Sequence, residues 1–428
     1  MTTLDLLVKN ARHVDGHKID VAVKNGLIAD IENNIIADAK DIIDADGHLI
    51  SIPFVDAHFH MDATLSFGQP RINQSGTLLE GIQLWGELKP DLTVDAMIGR
   101  AMEYCDWAIA NGILAIRSHV DICDDRLLGV EALLAVKNKV KDVLDLQLVA
   151  FPQDGYYRYQ NSIANMVRAL DMGVDVVGGI PHFEATMDDG KASVTALMEI
   201  AEKRGLLVDM HCDETDDPLS RHIETLTAET KRLGLQGWVT GSHLTSMHSM
   251  DNYYVSKLLP LMAESEVYVV ANPLINILIQ GRHDTYPKRR GLTRIKEMMD
   301  MGISVAFGQD CVMDPWYPLG TGDMLDVANM AVHVGQLSGQ NEIRNCYDAV
   351  TSVPAKILGH DDFGLEKGKR ASFVILQASS PFEAIRLRSP RLYVVSNGRI
   401  VARGNAKQSQ LMMPGRPTQC RFQLSEND

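Results

Sequence analysis

The chain has 428 residues, 45% hydrophobic and 23% charged. That is the balance of a globular protein long enough for a barrel-sized core plus an accessory unit, with no need of disulfides. Its 41 basic residues against 56 acidic ones leave a formal net charge of −15, and no Lys/Arg block occurs, which excludes the basic stripe of a nucleic-acid-binding surface. Asp5, Lys9 and Arg12 interrupt the first residues, where a signal peptide needs an unbroken apolar run. The most apolar region, 267–279, is broken by Asn272, Pro273 and Asn276, so it falls short of the roughly 18 residues that read as a membrane span. The six cysteines show no CxxC pair, which reads as reduced thiols. The expectation is a soluble, cytoplasmic protein without membrane or nucleic-acid partners.

In chain order, the segments LDLLVKNARHV, KIDVAVKNGLIADIE and DIIDADGHLI alternate apolar and polar residues, punctuated by Asn25-Gly26 and Asp46-Gly47. They predict short strands joined by tight turns. The same style returns in ASFVILQA and RLYVVSNGRIVARGN. Residues 1–52 and 363–428 are therefore expected to build one small β-sandwich from both chain ends, with an irregular polar tail from about Gln408. Between them, residues 53–362 repeat strand and helix. Strands are predicted at LISIPFVDAHFH, ILAIRSHVD, LQLVAFPQ, VDVVGGIPH, LLVDMHCDE, WVTGSHLT, VYVVANPL and ISVAFGQD. Intervening stretches such as VTALMEIAEKRG, IKEMMDMG and DMLDVANMAVHVGQL have helical spacing. Strands apolar on both faces predict a parallel sheet covered by helices. Eight of them favour an α/β (β/α)₈ TIM-type barrel over a doubly wound sheet, which pattern alone leaves open.

The predicted strands stop in polar, chemically capable residues: His58 and His60, His119 and Asp121, Gln153, His182, His211 with Glu214, His243, Asn272 and Asp310. In a parallel barrel all strand C-termini open onto one face, so these residues would converge. Burying imidazoles there serves no structural end unless each finds a partner. His58 and His60, at i and i+2 on one strand, point the same way. With His211 and Asp310 they make three imidazoles and a carboxylate, suited to a divalent transition metal that keeps an exchangeable water. Glu214, three residues beyond His211, is placed to move a proton between water and a leaving group. His243 fits a fourth nitrogen ligand, a partner for the activated water or a structural histidine; the second role is favoured. His119 and His182 are read as packing or bracing residues. His182-Phe183-Glu184 fits the HxE of small zinc nucleoside deaminases, but that motif requires a PCxxC partner, which the chain lacks.

The strand VDAHFHMD, the strand ends HCDE, SHLT and GQDC, and the segments INQSGTLLEGIQLW, ANPLINILIQGRHDTYPKRRG and DPWYPLGTGDML resemble the amidohydrolase superfamily, and within it the bacterial cytosine deaminases, over nearly the whole chain. The resemblance implies one metal, iron (Fe2+) or zinc (Zn2+), on His58, His60, His211 and Asp310. Gln153 falls where many relatives carry a carboxylated lysine between two metals, so the single-metal form is expected. A ring-opening cyclic amidohydrolase, which uses two metals, is disfavoured on the same ground. The resemblance further implies that Gln153 reads the ring amide and carbonyl, that Glu214 shuttles the proton, and that His243 and Asp310 orient and deprotonate water. Leu78 and Trp316 would pack on the heterocycle. Cys311 departs from the family pattern, which carries a second acid there, and puts substrate identity in question. The expected activity is hydrolytic deamination of cytosine, or of isoguanine, creatinine or another cyclic amidine. The expected partners are that small amino-heterocycle and further copies of the same chain.

Overall fold

A computed structural model describes residues 3–420 and 422. Eight parallel strands run in sequence order around the middle of the chain. They are β1 (Phe54–Phe59), β2 (Ile113–Asp121), β3 (Asp145–Phe151), β4 (Val176–Gly179), β5 (Leu207–Cys212), β6 (Val239–His243), β7 (Tyr268–Ala271) and β8 (Val305–Phe307). Every residue of β1, β2, β4 and β8 is buried, as an apolar strand covered on both faces must be. Helices follow the strands, among them Met187–Arg204 and Met324–Val334, where the helical spacing placed them. The main core joins residues of the strands to the inner faces of these helices.

Closure between β8 and β1 settles the choice between open sheet and barrel, and it occurs beside the polar residues. Phe59 and Asp310 form a parallel bridge. The Asp310 amide donates to the His58 carbonyl at 2.8 Å, and the His60 amide donates to the Asp310 carbonyl at 2.9 Å. This approach requires Gly308, where a Cβ would lie 2.7 Å from His58 Cβ and 2.4 Å from Asn272 Oδ1. Gly308→Ala is therefore expected to cost about 1–3 kcal/mol, the usual range for overpacking. The variant should show a lower melting temperature in a thermal scan, together with weakened metal retention. A wild-type melting temperature would mean the seam yields.

The strands of the two chain ends come together in one small β-domain, as expected, and hydrogen-bond into a mixed eight-stranded sheet. The sheet branches at the long first strand, Leu4–Arg12. It pairs with Ala39–Asp44 through Leu4 to Lys9 and with Leu49 through Arg12, so both neighbours share its edge. Phe373–Leu376 then pairs antiparallel with Leu49–Ser51 and ties in the C-terminal strands. The inward residues, including Val8, Val21, Ile50, Phe373 and Ile375, form a core of their own. The tail expected to be irregular carries a short antiparallel pairing of Ser409–Gln410 with Gln419–Cys420; the rest of its end, 421 and 423–428, lies outside the described residues. Among the described residues no helix is long and apolar enough to cross a membrane.

Candidate active site

The polar strand ends meet at one mouth, and the backbone bends sharply to bring them there. Asp213, His243 and Asp310 all adopt the left-handed region, with φ of 52°, 72° and 68°. Non-glycine residues rarely sit there, and such strain concentrates where the surroundings over-determine a functional geometry. At Asp213 the determinants are visible. Its carboxylate accepts from Ser220 Oγ at 2.7 Å, from the His222 ring at 2.8 Å and from the Ile223 amide at 2.9 Å. This turns the chain so that Glu214 enters the mouth.

His60 Nε2 lies 2.9 Å from His211 Nε2 and 3.4 Å from Asp310 Oδ1, and His58 Nε2 lies 3.6 Å from the same oxygen. Donor atoms sharing an ion at the usual bond lengths of about 2.0–2.2 Å sit at such separations. Both nitrogens of His58 and Nδ1 of His211 are buried without a hydrogen-bond partner, a costly state for imidazole unless something else takes the lone pair. Burial pushes the pKa of His60 down to about 3 and those of His58 and His211 well below the ordinary histidine value. The rings are therefore neutral, the form that binds a metal. Burial also raises the Asp310 pKa; a cation reverses that preference. The donor set fits a divalent ion.

His243 is the other candidate ligand, since its nitrogens lie within 4.8 Å of those of His58 and His211 and of the Asp310 carboxylate. Its Nδ1, however, is 3.0 Å from Glu214 Oε1 and 3.0 Å from Asn276 Nδ2, against 3.9 Å from Asp310 Oδ2. That places it between the two acids, a position suited to handling water. A second group, His58 with His119 and Asp209, also converges within 4.8 Å. There the Arg117 guanidinium already pairs with Asp209 at 2.9 Å and Ser242 donates to it at 2.7 Å. This group forms the buried floor beneath the site, where both ring nitrogens of His119 lack a hydrogen-bond partner.

One cavity of about 490 Å³, counting its open mouth, is lined by His60, Leu78, Gln153, His211, Glu214, His243, Asp310, Cys311 and Trp316. Of the strand-end residues singled out from the sequence, His58, His119, Asp121 and Asn272 do not line it; His58 is fully buried behind it. Its volume suits a small ligand. Ile82, Phe183, Ile275 and Ile279 complete an apolar wall that the sequence reading missed, because their helical spacing is that of any packed helix. His182, read from the sequence as a packing or bracing residue, lies on the wall of this cavity. Its Nδ1 has no partner, and burial lowers its pKa to about 4. The available signal was its place at the end of a strand, shared with the residues that were chosen. The Cys311 thiol lies 3.7 Å from Asp310 Oδ1. Burial, together with the neighbouring Asp314 and Asp310, raises its pKa well above the ordinary value, so this position carries an uncharged thiol.

A closed parallel barrel with three imidazoles and a carboxylate at its C-terminal mouth defines a class of hydrolase. Residues 41–402 match the model of the Amidohydrolase family, and the chain belongs to that family, whose members act on C–N bonds and use a divalent metal. The crystal structure of 5-methylcytosine deaminase from Klebsiella pneumoniae liganded with 5-fluorocytosine is 40% identical, with a TM-score of 0.92 over 95% of this chain and 99% of that one. N-isopropylammelide isopropyl amidohydrolase of Pseudomonas sp. (strain ADP) is 28% identical over 93% of this chain and 97% of its own. Pterin deaminase of Rhizobium rhizogenes is 28% identical over 90% and 88%.

Proposed function

We propose that this protein is a hydrolytic deaminase of free amino-pyrimidines, with cytosine and 5-substituted cytosines as substrates, working with one divalent ion, iron or zinc. The observation that carries the reading is the single cavity gathering a metal-binding donor set, a carboxylate beside a histidine, and a carboxamide. The likeness to 5-methylcytosine deaminase of Klebsiella pneumoniae supports it. In this reading His58, His60, His211 and Asp310 hold the ion, which when bound would bring the pKa of a water toward neutrality. The chain does the rest. Glu214 takes a proton from the water and gives it to the ring nitrogen beside the amine-bearing carbon as the water oxygen bonds to that carbon. It then passes the adduct's hydroxyl proton to the amine as the C–N bond breaks and ammonia leaves. His243, between Glu214 and Asp310, orients the water. Gln153 offers a donor and an acceptor to the ring amide and carbonyl, while Leu78 and Trp316 pack on the flat faces.

Cys311 sets the ring-edge preference in this account. A thiol there leaves an uncharged space that tolerates a substituent, whereas a carboxylate would occupy it and accept from an amine. Cys311→Asp is expected to raise activity on cytosine relative to 5-methylcytosine and larger heterocycles by roughly ten- to a hundredfold, with metal content unchanged. Ammonia release across a panel of cytosine, 5-methylcytosine, isoguanine and creatinine reads both the activity and the ranking. An identical ranking for the two proteins would reduce Cys311 to a packing residue. The same reading carries a cytoplasmic setting, consistent with six unpaired cysteines, and self-assembly, which sedimentation of the purified protein would measure.

A further inference from the structure

The cavity wall contributed by the helix Leu78–Leu88, here α1, is held by a buried carboxylate that does not itself reach the cavity. Leu78, Ile82, Trp85 and Lys89 follow one another at spacings of four, three and four, so they share one stripe along the helix and its cap. The first two line the cavity. The last two both end on Asp121 at the tip of β2. Trp85 Nε1 donates to Asp121 Oδ2 at 2.8 Å, and Lys89 Nζ meets the same oxygen at 2.7 Å. Lys89 also reaches Asp154 Oδ2 at 2.9 Å, next to Gln153. The other carboxylate oxygen, Oδ1, accepts from the Cys123 amide at 2.7 Å, which fixes the carboxylate on the barrel. The Asp121 side chain is 5% exposed and that of Lys89 14%. At its other end α1 is tethered at the surface, where Arg282 donates to the Gly76 carbonyl at 2.8 Å.

The tether also sets the neighbouring aromatic wall. The Trp85 and Trp316 rings lie 6.1 Å apart, and Trp316 lies 6.4 Å from the His60 ring. Trp316 presses against α1 at Gly81 so closely that a Cβ there would be 2.3 Å from its ring. Any shift of α1 thus moves Leu78, Ile82 and Trp316 together.

We infer that Asp121 is a positioning residue for substrate specificity: through Trp85 and Lys89 it sets α1, and with it the Leu78–Ile82–Trp316 wall, at the distance a flat heterocycle requires. The inference rests on the cavity being the substrate site proposed above. Because the wall packs on the ring in the ground and transition states alike, the effect belongs in KM more than in kcat.

Asp121→Asn isolates the tether. The amide keeps an acceptor for the Cys123 N–H, and its NH₂ then faces the two donors Trp85 Nε1 and Lys89 Nζ. On the metal-loaded enzyme with the amino-pyrimidine that the wild type deaminates, the expected result is a KM about tenfold higher or more, with kcat within about threefold and metal content unchanged. Amide hydrogen exchange of residues 78–88 should quicken while that of β2 does not. Wild-type KM and exchange, or a fall in kcat accompanied by metal loss, would overturn the inference. Trp85→Phe keeps the ring and removes one N–H, so it decides the matter if Asp121→Asn fails to fold. A raised KM at wild-type melting temperature supports the tether, and an unchanged KM rejects it. If the wild type releases ammonia from none of the panel, the substrate reading fails, and the exchange of α1 still reports on the tether.

Discussion

Replacing His211 with alanine is expected to remove bound metal and turnover together. Its Nε2 sits 2.9 Å from that of His60, and its ring stacks on Phe151 with centroids 4.0 Å apart. Alanine leaves the strand in place but takes away one of four donors and the ring that faces the others. An ion contributing several kcal/mol of charge stabilisation to the reaction would be lost with it, so the fall in rate should reach about a thousandfold or more. Elemental analysis and ammonia release on the same preparation check this. A variant with a full equivalent of metal and normal turnover would remove His211 from the ligand set, leaving His243 as the nearest substitute.

Glu214→Gln should leave the metal in place and still abolish most of the rate. Glutamine matches the shape and can accept from Asn276 Nδ2, which lies 3.4 Å from Glu214 Oε1, but it cannot carry a proton to the ring nitrogen. Loss of a general acid/base typically costs about 10² to 10⁴ in rate, and a fall in kcat of that order is expected at unchanged metal content. A fall of less than tenfold would place the proton transfer elsewhere, with His243 next in line at 3.0 Å from the same oxygen.

Much of this architecture was legible because its signals are local. Each barrel strand was marked by a β-branched run ending in a polar residue, and the shared direction of strand ends in a barrel turned that list into a site. HCDE and GQDC were read from their places at predicted strand ends and from the resemblance they carry. What escaped depends on contacts distant in sequence. That Gly308 admits the seam to His58, or that Asp213 bends left-handed under hydrogen bonds from Ser220, His222 and Ile223, leaves no periodic trace. The Asp121–Trp85 bond joins the end of β2 to a helix 36 residues earlier in the chain, and only the folded barrel brings them together. The domain built from both chain ends was legible in the same alternation, but its strand order was not, because alternation identifies strands without saying which edges they share. The HxE spacing at His182 points to a motif whose PCxxC partner the chain lacks, so only its place at a strand end marks it as a residue of the mouth.

The most direct measurement is ammonia release from cytosine and 5-methylcytosine by the purified protein, with its metal content determined on the same sample. The account predicts turnover of at least one of the two pyrimidines at about one equivalent of iron or zinc, abolished by chelation and restored by adding the metal back. No ammonia from either base in a metal-loaded sample, or turnover that persists after the metal has been stripped, would contradict it.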